Sequence, residues 1–69
     1  MRLKQSLEGK QVRIITIKNE VLTGIVKDYI FPEDNDPEGV AGINVYNCPN
    51  PGEWNGLNET DIQSIEIIE

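Results

Sequence analysis

A mostly β domain, with a short N-terminal helix leading into a five-stranded, strongly bent antiparallel barrel, is the fold class this 69-residue sequence predicts. Three observations predict it. Apolar and β-branched residues gather in five short segments. Residues that favour turns stand between those segments. A lone glycine, Gly24, falls in the middle of the longest segment, where it marks a bulge or sharp bend. A long bent strand is what lets a small sheet curl onto itself.

The elements follow in order. Leu3 and Leu7 stand one helical turn apart and Gly9 is a natural stop, so residues 2–8 read as a short helix with one apolar edge. It is too short to hold alone and must lie against something. Residues 11–18 form the first strand, with Val12 and Ile14 on one face and Ile15 and Ile17 on the other. Apolar residues on both faces imply that both are covered. Asn19-Glu20 is placed as a hairpin turn, since Asn tolerates positive φ. Residues 21–31 form the second strand, interrupted by Gly24. Residues 32–39, with two prolines, four acids and nothing apolar, are a mobile surface loop. Residues 40–46 form the third strand, with Ala41, Ile43 and Val45 on one face. A break rich in turn residues, with Pro49 and Pro51, precedes a weak fourth strand at 53–57, where Asn55-Gly56 is the competing turn. Residues 58–61 read as a helical turn capped by Asn58, and residues 62–68 as the fifth strand. The expected core is Ile14, Val26, Ile43, Val45 and Ile65.

Length sets further bounds. Sixty-nine residues allow one domain spanning 1–69. A chain this short hides only roughly 60% of the surface its unfolded form exposes. Small domains add disulfides, a metal or partner subunits. The single cysteine, Cys48, excludes an internal disulfide, and with no histidine the common structural zinc sites are excluded too. Subunit association is left by elimination. No apolar run approaches the length of a membrane span, and the first residues lack an apolar signal core. With a free thiol, this points to a reducing cytoplasm and away from a membrane.

The net charge of −6 conceals an asymmetry. All six bases (Arg2, Lys4, Lys10, Arg13, Lys18 and Lys27) lie in the first 27 residues, opposed there only by Glu8 and Glu20. Residues 28–69 hold the other ten acids and no base. The plain reading is a solvated, solubilising surface. The sharper one is a molecule with unlike faces, one of them able to meet anions.

Chemistry-bearing patterns are sparse, and no enzymatic activity or cofactor is expected. No histidine exists to serve as base to a serine or to Cys48, and no basic residue near Cys48 in sequence lowers its pKa. Asp34-Asn35-Asp36-Pro37-Glu38-Gly39 imitates the start of a calcium loop. Its twelfth position, which should be a bidentate Glu, is Val45, and both flanks read as strands. Tyr29, Phe31, Tyr46 and Trp54 are all capable of stacking. Tyr29 and Phe31 read as core or subunit contacts, while Trp54, set among Pro51, Gly52, Asn55 and Gly56, reads as an exposed contact.

One stretch, Leu7-Glu8-Gly9-Lys10-Gln11-Val12-Arg13-Ile14, followed by the hairpin and Leu22-Thr23-Gly24-Ile25-Val26-Lys27-Asp28-Tyr29, resembles the opening of an Sm-like (LSm and Hfq-type) small barrel. That family begins with a helix, a "G-K-x-V" strand and a bent strand with a central glycine. Asp61-Ile62-Gln63-Ser64-Ile65-Glu66-Ile67-Ile68 is similar to its last strand. The resemblance implies a ring-forming homo-oligomer. It implies no RNA-contacting residues. The family's Asp-x-x-Met-Asn loop is matched here by Asp28-Tyr29-Ile30-Phe31-Pro32-Glu33, without the Asn. Its Arg-Gly-Asp or Arg-Gly-Asn turn is matched by Asn58-Glu59-Thr60-Asp61, without arginine or glycine. The expected function is therefore a non-catalytic, ring-forming assembly or binding module, with its partner left open between a protein and, less favoured, RNA. The alternative is a single-stranded RNA-binding protein using the basic N-terminal residues. Expected contact residues are Arg2, Lys4, Lys10 and Trp54.

Overall fold

A computed structural model describes residues 3–68. Five strands form one antiparallel sheet: β1 (Gln11–Thr16), β2 (Val21–Ile30), β3 (Gly42–Tyr46), β4 (Trp54–Asn58) and β5 (Ile62–Ile67), in the spatial order β4-β3-β2-β1-β5. Each of β2, β3 and β4 lies beside its predecessor, and β5 returns to the far side of β1. Among the described residues β4 and β5 are both edges, so the sheet is open and the expected closed barrel does not form. The physical reason sits at their junction. A single turn of 3-10 helix, Glu59–Asp61, joins β4 to β5. Asn58 caps it reciprocally: its N–H donates to Asp61 Oδ2 at 2.9 Å, and its side chain accepts from the Asp61 backbone. This cap turns the chain straight off β4, and β5 spends its inward hydrogen bonds on β1.

The N-terminal helix expected over residues 2–8 is only a 3-10 turn, Gln5–Leu7. Residue 2 lies outside the described residues. A stretch this short forms too few hydrogen bonds to offset helix nucleation. The two leucines still act as the spacing required: Leu3 is buried and Leu7 packs against the core.

Alternation along the strands places the core. Val12, Ile14 and Thr16 of β1, Val26 of β2, and Ile43 and Val45 of β3 are all buried, joined by Leu3, Ala41, Cys48 and Ile62. The other face of β1 is half-covered at Ile15, while Ile17, which the expected strand 11–18 included, falls just past its end and is 60% exposed. The expectation that both faces are covered therefore holds only in part. Ile65, expected in the core, is half-buried, because β5 is an edge with no outer neighbour. Phe31, read as a core or subunit contact, lies outside the core of the single chain: it is 42% exposed and stacks edge-on against the half-buried Tyr29 with centroids 5.0 Å apart.

The turns follow the sequence closely. Asn19 takes φ 65° in the β1–β2 hairpin, and Thr16 Oγ1 accepts hydrogen bonds from the Lys18 and Glu20 N–H groups. The pairing of β2 with β3 shifts register between Val26 and Asp28, which bends the long strand. Residues 55–56 are strand and not turn, with Asn55 opposite Val45 and Gly56 opposite Asn44. The third strand starts at Gly42, two residues later than expected.

Candidate functional site

The acidic segment 32–39 is exposed except at Asn35. It lies on the surface as expected, and one residue anchors it. Pro32–Asp34 form a 3-10 turn. Asn35 Nδ2 donates to Val40 O at 2.7 Å and to Asn58 Oδ1 at 2.8 Å, linking the loop to the cap of the β4–β5 turn. Among the described residues no group of three or more Cys, Asp or Glu side chains converges to hold a metal ion.

Cys48 is fully buried. Burial pushes its thiol pKa up, and a hydrogen bond with the Asn55 side chain offsets this only in part. A buried thiol with its thiolate disfavoured is a packing group and a poor nucleophile. Shallow cavities open on the surface as well. One of about 290 Å³ lies between Leu3, Tyr29, Pro32, Ala41 and Glu59. Its carboxylate is already engaged, since Glu59 Oε1 accepts the Leu3 N–H at 2.7 Å. The other, about 180 Å³, lies between Thr16, Ile17, Lys18 and Leu57, where the Thr16 hydroxyl is committed to the hairpin. Glu20 and Asp61 also line this second cavity, where the Thr16 hydroxyl donates to Glu20 Oε1 at a long 3.5 Å.

The sheet itself carries the more promising surface. Pairing places Trp54 opposite Tyr46, Tyr46 opposite Ile25, and Ile25 opposite Gln11, one row across four strands. Trp54 is 59% exposed and its ring lies 4.8 Å from that of Tyr46, tilted by 52°. Lys27 Nζ stands 6.0 Å above the Tyr46 ring, within reach of a weak cation–π attraction. Lys10 precedes Gln11 at the end of this row, and its carbonyl accepts the Val26 N–H. Trp54 and Lys10 thus stand at the two ends of this row, three strands apart. Lys4 is exposed and lies just ahead of the 3-10 turn, outside the row. Arg2 falls outside the described residues. Sequence reasoning missed Lys27 as a member of this surface. Its only signal is its place in the irregular step between Val26 and Asp28, which is visible only once β2 and β3 are paired.

Charge is less segregated in space than along the chain. Arg13 Nε and Glu66 Oε1 form an ion pair at 2.8 Å between β1 and β5, exposed on both sides. Glu8 Oε2 accepts the Tyr29 N–H at 2.8 Å. The Arg13–Glu66 pair thus joins a base of residues 1–27 to an acid of residues 28–69.

A second group of exposed apolar residues lies along the open edges. Trp54 begins β4, and Ile67 and Ile68, 50% and 38% exposed, end β5. No described helix is long and apolar enough to cross a membrane. No family model matches the chain, and neither a curated protein nor a solved structure matches it.

Proposed function

We propose that this chain is a non-catalytic assembly and binding module, a protomer of the Sm-like kind that joins head to tail with copies of itself into a closed ring. One observation carries the reading. The sheet has two unpaired edges, β4 and β5, each bearing large apolar side chains in water. Unpaired strand edges are templates for another strand. A domain this small gains from subunit contacts. When two different edges meet, the contact is heterologous, and rotation closes it into a ring. The partner that such a ring engages is a protein, met through the row of Trp54, Tyr46 and Lys27.

Binding of RNA is disfavoured on this reading, because nucleic-acid affinity rests on phosphate neutralisation and the chain is strongly acidic. The test is paired. Light scattering on the purified protein should give a single species at a multiple of 7.8 kDa. Fluorescence anisotropy with uridine-rich and adenine-rich oligonucleotides should then show weak or no binding at physiological salt. A monodisperse monomer at high concentration rejects the ring. Tight RNA binding lost on R2A and K4A replaces this reading with the RNA-binding one.

A further inference from the structure

We infer that the row of Trp54, Tyr46, Ile25 and Gln11, with Lys27 beside it, seats a proline-rich segment of the partner protein: a polyproline II stretch with two prolines three residues apart and one acidic residue between them. This deepens the function proposed above and rests on it for the existence of a protein partner. Val12, Val26 and Val45 are buried. Gln11, Ile25 and Tyr46 are their neighbours along the chain, so they stand on the opposite, outer face of the sheet. Residues paired across strands project to the same side, which brings Trp54 onto that face as the partner of Tyr46. Strand side chains stand roughly perpendicular to the sheet. Pairing at the β4 edge uses backbone groups and leaves this face open.

The row runs across the strands, and its spacing selects the backbone of the ligand. Trp54 of β4 and Ile25 of β2 lie two strands apart, a separation of about 9.6 Å at the usual strand spacing. A polyproline II helix returns to the same side every third residue, after about 9.3 Å. Laid along the row, it sets one proline against Trp54 and the next against Ile25. An extended β-strand returns to the same side after about 6.6 Å and falls out of step.

The chemistry of the row agrees. The Trp54 and Tyr46 rings, 4.8 Å apart and tilted by 52°, form two apolar planes at an angle and not one flat platform. That shape takes the edge of a pyrrolidine ring better than the face of a base. A polyproline II segment has no internal hydrogen bonds, so its carbonyls need donors. The Trp54 indole N–H, the Tyr46 hydroxyl and the Gln11 amide are donors set along its path. Such a segment is already extended before it binds, which lowers the cost of ordering it. Charge fixes the residue between the prolines. Lys27 Nζ stands 6.0 Å from the centre of the Tyr46 ring, midway between the two proline positions, and calls for a carboxylate there. Acids near the row already have partners: Glu66 pairs with Arg13, Asp28 accepts from Asn44 and Glu53 accepts from Asn50.

The experiment titrates the full chain into a fluorescently labelled peptide, Ser-Pro-Pro-Glu-Pro-Pro-Ser, by anisotropy, with light scattering on the same sample. Binding should saturate, and the emission of Trp54, the only tryptophan, should shift to the blue. A peptide with alanine at the four proline positions should bind about tenfold more weakly or worse. W54S should keep the wild-type circular dichroism, because the side chain is 59% exposed, and lose binding by about tenfold or more. K27E should reverse the charge preference and favour the peptide with lysine in place of glutamate. Absence of binding by an assembled wild type overturns the inference and leaves the ring in place. So does equal binding of the proline and alanine peptides, W54S binding at wild-type strength, or a charge preference unmoved by K27E. An adenine-rich oligonucleotide that displaces the peptide and shifts Trp54 emission gives the row to nucleic acid and overturns it too. A monomer that binds the peptide with these preferences removes the ring and keeps the seat.

Discussion

Replacing Gly24 with alanine is expected to lower the melting temperature by roughly 4–24 °C, the product of an overpacking cost of about 1–3 kcal/mol and about 4–8 °C for each kcal/mol in a domain of this size. The cause is crowding, with no backbone strain involved. A Cβ on Gly24 would lie 2.6 Å from the Tyr46 carbonyl oxygen, 2.6 Å from Val45 Cγ1 and 3.0 Å from Cys48 Cβ. The carbonyl belongs to a hydrogen-bonded strand and cannot swing aside as a surface side chain would. Gly24 is thus where β3 and the segment after it close over β2, and the curl of the sheet depends on its bare face. Thermal unfolding of G24A and wild type at equal protein concentration tests this. A change within about 2 °C would mean that β3 relaxes freely at this point.

The second large effect is expected at Ile14, whose replacement by alanine should cost about 2–5 kcal/mol. Ile14 is wholly buried in β1, between Leu22 of β2 and Ile65 of β5. A small domain holds only about 5–15 kcal/mol in total, so I14A should be partly unfolded at room temperature if the protein sits at the low end. Removing the same kind of side chain three residues on, in I17A, should change stability by less than about 1 kcal/mol, because Ile17 is 60% exposed. Chemical denaturation of both variants measures the contrast. Equal losses would show that burial in one copy does not describe the core, and that Ile17 is covered in solution.

Much of this fold is legible in the residues. Runs of β-branched residues mark β1, β2, β3 and β5, and Asn19 and Asn58 mark a turn and a cap through well-defined local chemistry. Gly24 marks the long strand, but the register shift that bends it falls further on, between Val26 and Asp28, and pairing with β1 runs regularly through Gly24. What is not legible follows from tertiary choice. Leu3 and Leu7 fit a helix by spacing, but a 3-10 turn brings the same two side chains to the core with fewer residues ordered. The number of strands does not say whether the last meets the one before it. That depends on the Asn58–Asp61 cap and on β5 choosing β1, and neither partner choice is encoded in alternation. At the candidate surface, Trp54 is recognisable from its turn-rich, polar neighbours. Lys27 is not, because its position over Tyr46 depends on a register shift between two strands.

The sheet order also fixes when the molecule can be finished. β1 comes first in the chain, yet one of its two flanks is filled by β5, which comes last, and Val12 pairs with Ile67. As the polypeptide leaves the ribosome, β1 and β2 can zip through their short hairpin, and β3 and β4 can be laid down one after another. The β5 flank of Val12 and Ile14 stays bare until the final strand emerges. Closing a loop of nearly the whole chain carries an entropic cost that local pairing does not. Nascent chains are therefore expected to remain sticky until β5 has been synthesised, and pulse-labelled amide exchange during refolding should find β5 protected last. Early protection of β5 would show that its pairing with β1 nucleates the fold.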